Sequence, residues 1–224
     1  MKAIVAFSGG MDSATVAAEA IAQDLEVELV GFYYGSKHND WENIAAEQLA
    51  KHWGVPFQLI DLSSVMAEFK SNLLKSGGEI PEGHYEAENM RQTVVPGRNL
   101  IFASILTGIA WSREASEVWM GIHAGDHFIY PDCRPSFFKA MGNAMLEGSD
   151  GKIALVAPFL NVTKVEIIKR GQELNVPYQL TRTCYKNQRI ACGRCGSCQE
   201  RLAAFAANGL VDPVEYETRE LIQR

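Results

Sequence analysis

Basic residues are in the minority in this chain: 21 Lys and Arg stand against 27 Asp and Glu, a formal net charge of −6 at pH 7. That deficit argues against a long nucleic-acid track, which needs many cations to neutralise phosphates, but leaves room for a small anion in a local basic pocket. Long apolar runs are also missing, and none is expected to approach membrane-spanning length. The opening run Ala3-Ile4-Val5-Ala6 stops at Ser8-Gly9-Gly10, too soon for a signal peptide. The chain is therefore expected to be cytoplasmic, in a compartment that keeps its 5 cysteines reduced and disulfides absent. Neither an internal repeat nor a low-complexity tract breaks it up. What remains, 224 residues with 47% hydrophobic and 21% charged content, suits one large α/β domain with at most a small appendage.

Apolar segments predict strands at residues 2–7, 27–34, 57–61, 117–122 and 153–157. Helices are predicted between them at 14–23, 39–53, 63–74, 98–113 and 135–146. A further helix opens at Thr163-Lys164-Val165-Glu166, a capping box. Strands alternating with helices imply a doubly wound, mainly parallel five-stranded α/β sheet. In such sheets ligands lie beyond the carboxyl ends of the strands. The loops at 8–13, 34–38, 95–99 and 121–134 should therefore gather at one edge, and each is rich in groups that do chemistry.

The first of these loops follows the first strand and reads Phe7-Ser8-Gly9-Gly10-Met11-Asp12-Ser13. Glycines adopt backbone angles closed to other residues and carry no Cβ, so several amide N–H groups can converge on one phosphate at the positive end of the next helix. Ser8 and Ser13 add hydroxyl donors, and Asp12 offers an oxygen to a magnesium ion or a ribose. The kinase-type G-x-x-x-x-G-K-[ST] loop is absent, because no lysine stands where it would reach the β- and γ-phosphates. The turn instead resembles the PP-loop of the ATP pyrophosphatases, which cut ATP between the α- and β-phosphates and transfer AMP to an oxygen.

Near the other end, Cys184, Cys192, Cys195 and Cys198 fall within fifteen positions, with Gly193 and Gly196 between them. Four thiolates at this spacing can surround a tetrahedral Zn²⁺ in a closed structural site. C-x₂-C-x₂-C also begins a ferredoxin iron–sulfur pattern, but that pattern wants its fourth Cys after x₃ with Pro following, whereas Gln199-Glu200-Arg201 follows here. A metal would order a tail that has little core of its own. Cys133 stands apart from the four.

Taken together, these motifs resemble the 7-cyano-7-deazaguanine synthase family. The landmarks are the Ser-Gly-Gly-x-Asp-Ser turn, Tyr34-Gly35-x-x-His38, Val95-Pro96-Gly97-Arg98-Asn99, Tyr130-Pro131-Asp132-Cys133-Arg134, Thr163-Lys164-x-Glu166 and the four cysteines. The resemblance spans nearly the whole chain. It implies a PP-loop, adenine-nucleotide-hydrolase-like domain over residues 1–180 and a small helical zinc-binding appendage over 181–224. It also implies ATP, Mg²⁺ and Zn²⁺ as cofactors, 7-carboxy-7-deazaguanine and ammonia as substrates, and a homodimer that engages neither nucleic acid nor membrane. Phe7, Ser8, Gly9, Gly10, Met11, Asp12 and Ser13 would hold ATP. Asp12, His38, Arg98, Arg134 and Lys164 are the candidate catalytic residues. Lys37, Arg98, Asn99, Asp126, Tyr130, Asp132 and Arg134 are candidates for the acid substrate: arginines for paired oxygens, Asp126 or Asp132 for the guanine-like edge, Tyr130 for stacking. Other PP-loop adenylating enzymes stay open as alternatives, either an ammonia-dependent amide synthetase or a tRNA-thiolation enzyme, as does a binding module without turnover.

Overall fold

The first segment has three consecutive fully buried residues, Ala3, Ile4 and Val5, as a strand covered on both faces requires. In the computed structural model, which describes residues 1–222, it forms β1 (Lys2–Ala6). It is followed by β2 (Glu26–Tyr33), β3 (Phe57–Asp61), β4 (Glu117–Trp119) and β5 (Ala154–Val156). The five pair in parallel in the order β3-β2-β1-β4-β5. The chain thus winds outward from β1 to one edge, returns, and winds to the other. The switch between β1 and β4 opens a crevice at their carboxyl ends.

Among the described residues seven α-helices cover the sheet: α1 (Met11–Ala22), α2 (Asn39–Trp53), α3 (Ser63–Met66), α4 (Arg98–Ser112), α5 (Pro135–Gly148), α6 (Lys164–Glu173) and α7 (Gly196–Ala207). On one face Phe102, Leu106 and Ala110 of α4 and Met141 and Met145 of α5 pack with Ile4, Val30 and Val118. On the other face α1, α2, α6 and α7 bury Ala14, Leu49, Ile167, Ile168 and Phe205 with Ala3, Val5 and Leu29. The predicted capping box is formed: Thr163 accepts from the Glu166 amide, and Glu166 accepts from the Thr163 amide at 2.7 Å.

Four expectations need correction. α1 begins at Met11 rather than Ala14, because Gly10 is extended and already accepts from the Ala14 amide at 2.9 Å. Only one turn of the 63–74 helix forms. Beyond it the backbone pairs with the loop after β2, Lys37 N–H donating to Leu73 O at 2.8 Å and Lys75 N–H to Gly35 O at 2.9 Å. β4 and β5 are shorter than expected, three residues each. Finally, Glu88–Ser112 does reach membrane-spanning length and apolarity by composition, with a mean hydropathy of 1.3. It is not one helix, however: a 3-10 turn (Glu88–Thr93) is separated from α4 by Val94–Gly97. The 15 residues of α4 rise about 22 Å, short of a hydrocarbon core about 30 Å thick.

Candidate active site

The crevice is a cleft of about 200 Å³ walled by the turn after β1, the loops after β2 and β4, the start of α4, and residues 182–197. Between the cleft-lining Ser8 and Gly10, Gly9 has φ +79°, and a Cβ there would stand 2.6 Å from the main-chain Glu42 O and Ala46 N of α2. Only glycine lets the turn lie this close to α2. The Ser8 and Ser13 hydroxyls face each other at 3.2 Å, and the Gly10 amide donates to Ser8 Oγ. Because no side chain caps α1, its first-turn amides stay available to an anion beside Phe7, Met11 and Asp12.

Next to the turn lies a dense charge cluster. Lys164, buried at the start of α6, sits 3.2 Å from Asp12 Oδ2 and 2.6 Å from Glu200 Oε2. Burial alone would lower the lysine's pKa, but Asp12, Glu200 and Asp126 hold it well above the ordinary value. Burial raises the Asp12 carboxyl, and Lys164 and His123 outweigh that and leave it below its usual range. His123 Nδ1 accepts from the Gly125 amide, so its proton sits on Nε2, 3.4 Å from Asp126 and 3.9 Å from Asp12. Asp126 also accepts from the Tyr85 hydroxyl at 2.7 Å. One oxygen in this cluster, Asp12 Oδ1, is buried without any partner. That orphan, on a cleft-lining residue of the phosphate-binding turn itself, fits a Mg²⁺ carried by ATP.

The opposite end of the cleft holds its charges apart. Arg98, at the first position of α4, makes a single long contact, 3.4 Å to the Tyr34 hydroxyl, and has no carboxylate within ion-pair distance among the described residues. Near it His38, the N-cap of α2, and Glu42 in the first turn of that helix stand four residues apart on one face, with Nε2 and Oε2 3.5 Å apart. Burial, aided by Arg98 and Arg182, depresses His38 to about 3; burial raises Glu42 to about 8 against the pull of the same arginines. Arg182 has its guanidinium tied to the carbonyls of Lys186 and Arg189, but its Nε is buried and unpaired. Tyr130 lines the wall, bonded to Thr93 at 2.9 Å, with Tyr185 beside it.

Most of the residues singled out from sequence are brought together here, but not all. Phe7, Ser8, Gly10, Met11, Asp12, Ser13, His38, Arg98, Asn99, Asp126, Tyr130 and Lys164 line the cleft. Asp132 instead caps α4, accepting from the Asn99 amide at 2.8 Å, and Asn99 spends its side chain on Asp132 O and Cys133 Sγ. Arg134 is exposed outside the cleft, its Nε donating to His127 O. Lys37 lies elsewhere, held by the carbonyls of Asn72, Gly77 and Gly78. Glu42, Tyr85, His123, Arg182, Tyr185 and Glu200 belong to the site or its support and were not singled out. The same-face spacing of His38 and Glu42 was the one available signal.

The four C-terminal cysteines are fully buried, their sulfurs within 4.8 Å of one another. Cys192 and Cys198 Sγ lie 3.9 Å apart, close to the ~3.8 Å edge of a tetrahedron with ~2.3 Å Zn–S bonds. A multi-iron cluster would spread its thiolates wider. Backbone amides of Lys186, Cys192, Arg194 and Cys195 point at Cys184 and Cys192 sulfurs at 3.3–3.4 Å, an arrangement that favours thiolates. The donor set fits zinc. The knuckle also borders the cleft, since Ser197 of α7 lines it.

A parallel five-stranded sheet with this turn at the end of β1 defines a PP-loop-type nucleotide-binding protein. Consistent with that fold, an NMN synthetase structure from Francisella tularensis superposes with a TM-score of 0.51 over 94% of this chain and 78% of its own, at 14% identity. The model of the family described as "Queuosine biosynthesis protein QueC" matches residues 2–209, and the chain belongs to that family. Curated relatives include "7-cyano-7-deazaguanine synthase 2" of Colwellia psychrerythraea, 45% identical over 96% of this chain and 98% of that one. Another is "7-cyano-7-deazaguanine synthase" of Caldicellulosiruptor saccharolyticus, 43% identical over 97% and 96%.

Proposed function

We propose that this chain is an ATP-dependent carbon–nitrogen ligase that converts 7-carboxy-7-deazaguanine and ammonia into 7-cyano-7-deazaguanine, within queuosine-type biosynthesis. Family membership over nearly the full length supports the reading, and one structural observation carries it: Arg98, with no carboxylate within ion-pair distance among the described residues, shares a cleft with an uncapped glycine turn. A carboxylate is a poor acyl electrophile because its oxygen does not leave. Transfer of AMP onto that oxygen, with loss of pyrophosphate, supplies a leaving group that ammonia displaces to give an amide. A second AMP transfer, to the amide oxygen, lets that oxygen leave as well and yields the nitrile.

In this reading the chain works by positioning and charge neutralisation. The 8–13 turn and Lys164 hold the phosphates, Asp12 positions the magnesium that screens them, and Arg98 takes the acid's carboxylate oxygens. Asp126, fixed by Tyr85 and His123, accepts from the guanine-like edge, and Tyr130 flanks the ring. Bound zinc, held by Cys184, Cys192, Cys195 and Cys198, would order the C-terminal segment from residue 181 against the body formed by residues 1–180. Arg134, Lys37, Asn99 and Asp132 act on the substrate only indirectly, through loop positions. Net charge −6 supports a small-molecule rather than a nucleic-acid partner, and reduced buried thiols support a cytoplasmic setting. The half-exposed Leu100 and Trp111 on the outer side of α4 support association as a homodimer, checked by light scattering. Mass spectrometry of the reaction products tests the assignment: nitrile should accumulate through a transient amide. An amide as sole end product would make the chain an amide synthetase instead.

A further inference from the structure

A nitrogen that arrives as ammonium carries four protons and leaves in a nitrile with none. Some group in the cleft must take them, and the nucleotide end is poorly suited. Its carboxylates are already engaged: Asp12 and Glu200 by Lys164, Asp126 by Tyr85 and His123. Glu42 differs. It lines the cleft with Arg98, and among the described residues no lysine or arginine stands within ion-pair distance of it. Its side chain has only two polar contacts there, His38 and Asn39, each at 3.5 Å, with Arg98 and Arg182 acting on it from farther away. A carboxylate kept for structure at such a depth is ordinarily paired. The close approach of Gly9 to the Glu42 main chain also fixes this helical turn beside the phosphate-binding loop.

We propose that Glu42, oriented by His38, is the ammonium-binding and proton-accepting group of this cleft. The proposal rests on the nitrile-forming reading. In its ionised form Glu42 binds ammonium and takes one proton. The freed lone pair forms the C–N bond at the activated carboxyl carbon, and the C–O bond to AMP breaks with its electron pair going to AMP. The same carboxylate, having released its first proton to water, takes the second and leaves a neutral amide. After AMP is attached to the amide oxygen, one N–H pair returns to nitrogen as a lone pair. The last N–H pair becomes the third C–N bond while the C–O pair departs with AMP, and both protons pass along the same route. The raised affinity of this carboxyl for protons brings it closer to ammonium than an ordinary glutamate would be.

The test compares two half-reactions in the zinc-loaded, full-length protein, after wild type has been shown to exchange pyrophosphate into ATP only when the deazaguanine acid is present. Absence of that exchange in wild type would sink the nitrile-forming reading itself. In Glu42→Gln, ammonium-dependent nitrile formation should fall about 100-fold, the lower range for loss of a general base, while acid-dependent exchange falls far less. Hydroxylamine, which is uncharged at neutral pH and needs no prior deprotonation, should still trap the activated acid as a hydroxamate in the variant. Glu42→Asp should recover part of the ammonium-dependent rate, and its zinc content shows that it is folded. Equal loss of exchange, hydroxamate and nitrile would make Glu42 a scaffold residue and overturn the proposal. So would an unchanged ammonium-dependent rate.

Discussion

Two arginines in this molecule meet opposite circumstances. In the C-terminal segment Arg201 is fully buried and saturated: Asp212 takes two of its donors at 2.6 and 2.9 Å, Thr181 and Thr183 take others, and the Tyr178 carbonyl another. In the cleft Arg98 has one tyrosine hydroxyl at 3.4 Å. Arg201 ties the 178–183 strap to the tail around Asp212, so its charge is answered from within the chain. Arg98 is held in place by α4 and left unanswered, which is the state of a group awaiting an anion. The same contrast separates the two ends of the cleft, where Lys164 is bracketed by carboxylates and Glu42 is not.

The sharpest way to break the comparison is to reverse the unanswered charge. Arg98→Glu should lower nitrile formation by about 1000-fold or more while zinc content stays at wild type, measured by product analysis and metal assay on one preparation. Loss of zinc as well would place Arg98 with Arg201 among the structural residues. Stripping the metal with a chelator should act on the other region, lowering stability by several kcal/mol in thermal or denaturant unfolding. Because α7 carries Cys198 toward the knuckle and Glu200 toward Lys164, ATP affinity should fall with it, as read by titration. Unchanged ATP binding in the stripped protein would show that the knuckle does not support the cleft.

A subtler effect follows from Glu42. Its proton affinity is raised in the folded protein, to about 8 from an ordinary 4.5, so the folded state retains a proton that the unfolded state has lost between those values. The resulting destabilisation is absent below the lower value, grows as pH rises through the window, and is complete above the higher one. Glu42→Gln should therefore unfold like wild type near pH 4 and be more stable above pH 8. The gain should be about 2 kcal/mol, less than full linkage because the side chain keeps some solvent contact. The smallest effect belongs to the exposed Arg134: Arg134→Ala should change turnover by less than about threefold, as expected of a surface charge.

What could be read from sequence was what lies together in sequence. The glycine turn, the four cysteines and the Thr163–Glu166 cap each occupy one short run, and their physics needs no partner from elsewhere. Strand–helix alternation put the loops after the strands at one edge, and with them Arg98, Asp126 and Tyr130, whereas the strand order that sets the β1–β4 switch point comes from pairing between distant segments. Glu200 was illegible because its role depends on α6 delivering Lys164 to it. The two-residue step from Cys198 to Glu200 turns the helix by about 200°, so Cys198 faces the knuckle and Glu200 faces Lys164. Arg134 and Lys37 were misleading for the same reason in reverse. Their neighbours in sequence reach the cleft or its wall, yet local carbonyls claim both side chains. The irregular path after α3 escaped detection because its hydrogen bonds go to another loop.

The most direct measurement is the fate of ATP labelled in its α-phosphate during a single turnover with the deazaguanine acid and ammonia. Two AMP and two pyrophosphate should appear for each nitrile, and none without the acid. Label recovered as ADP in step with product would contradict the account.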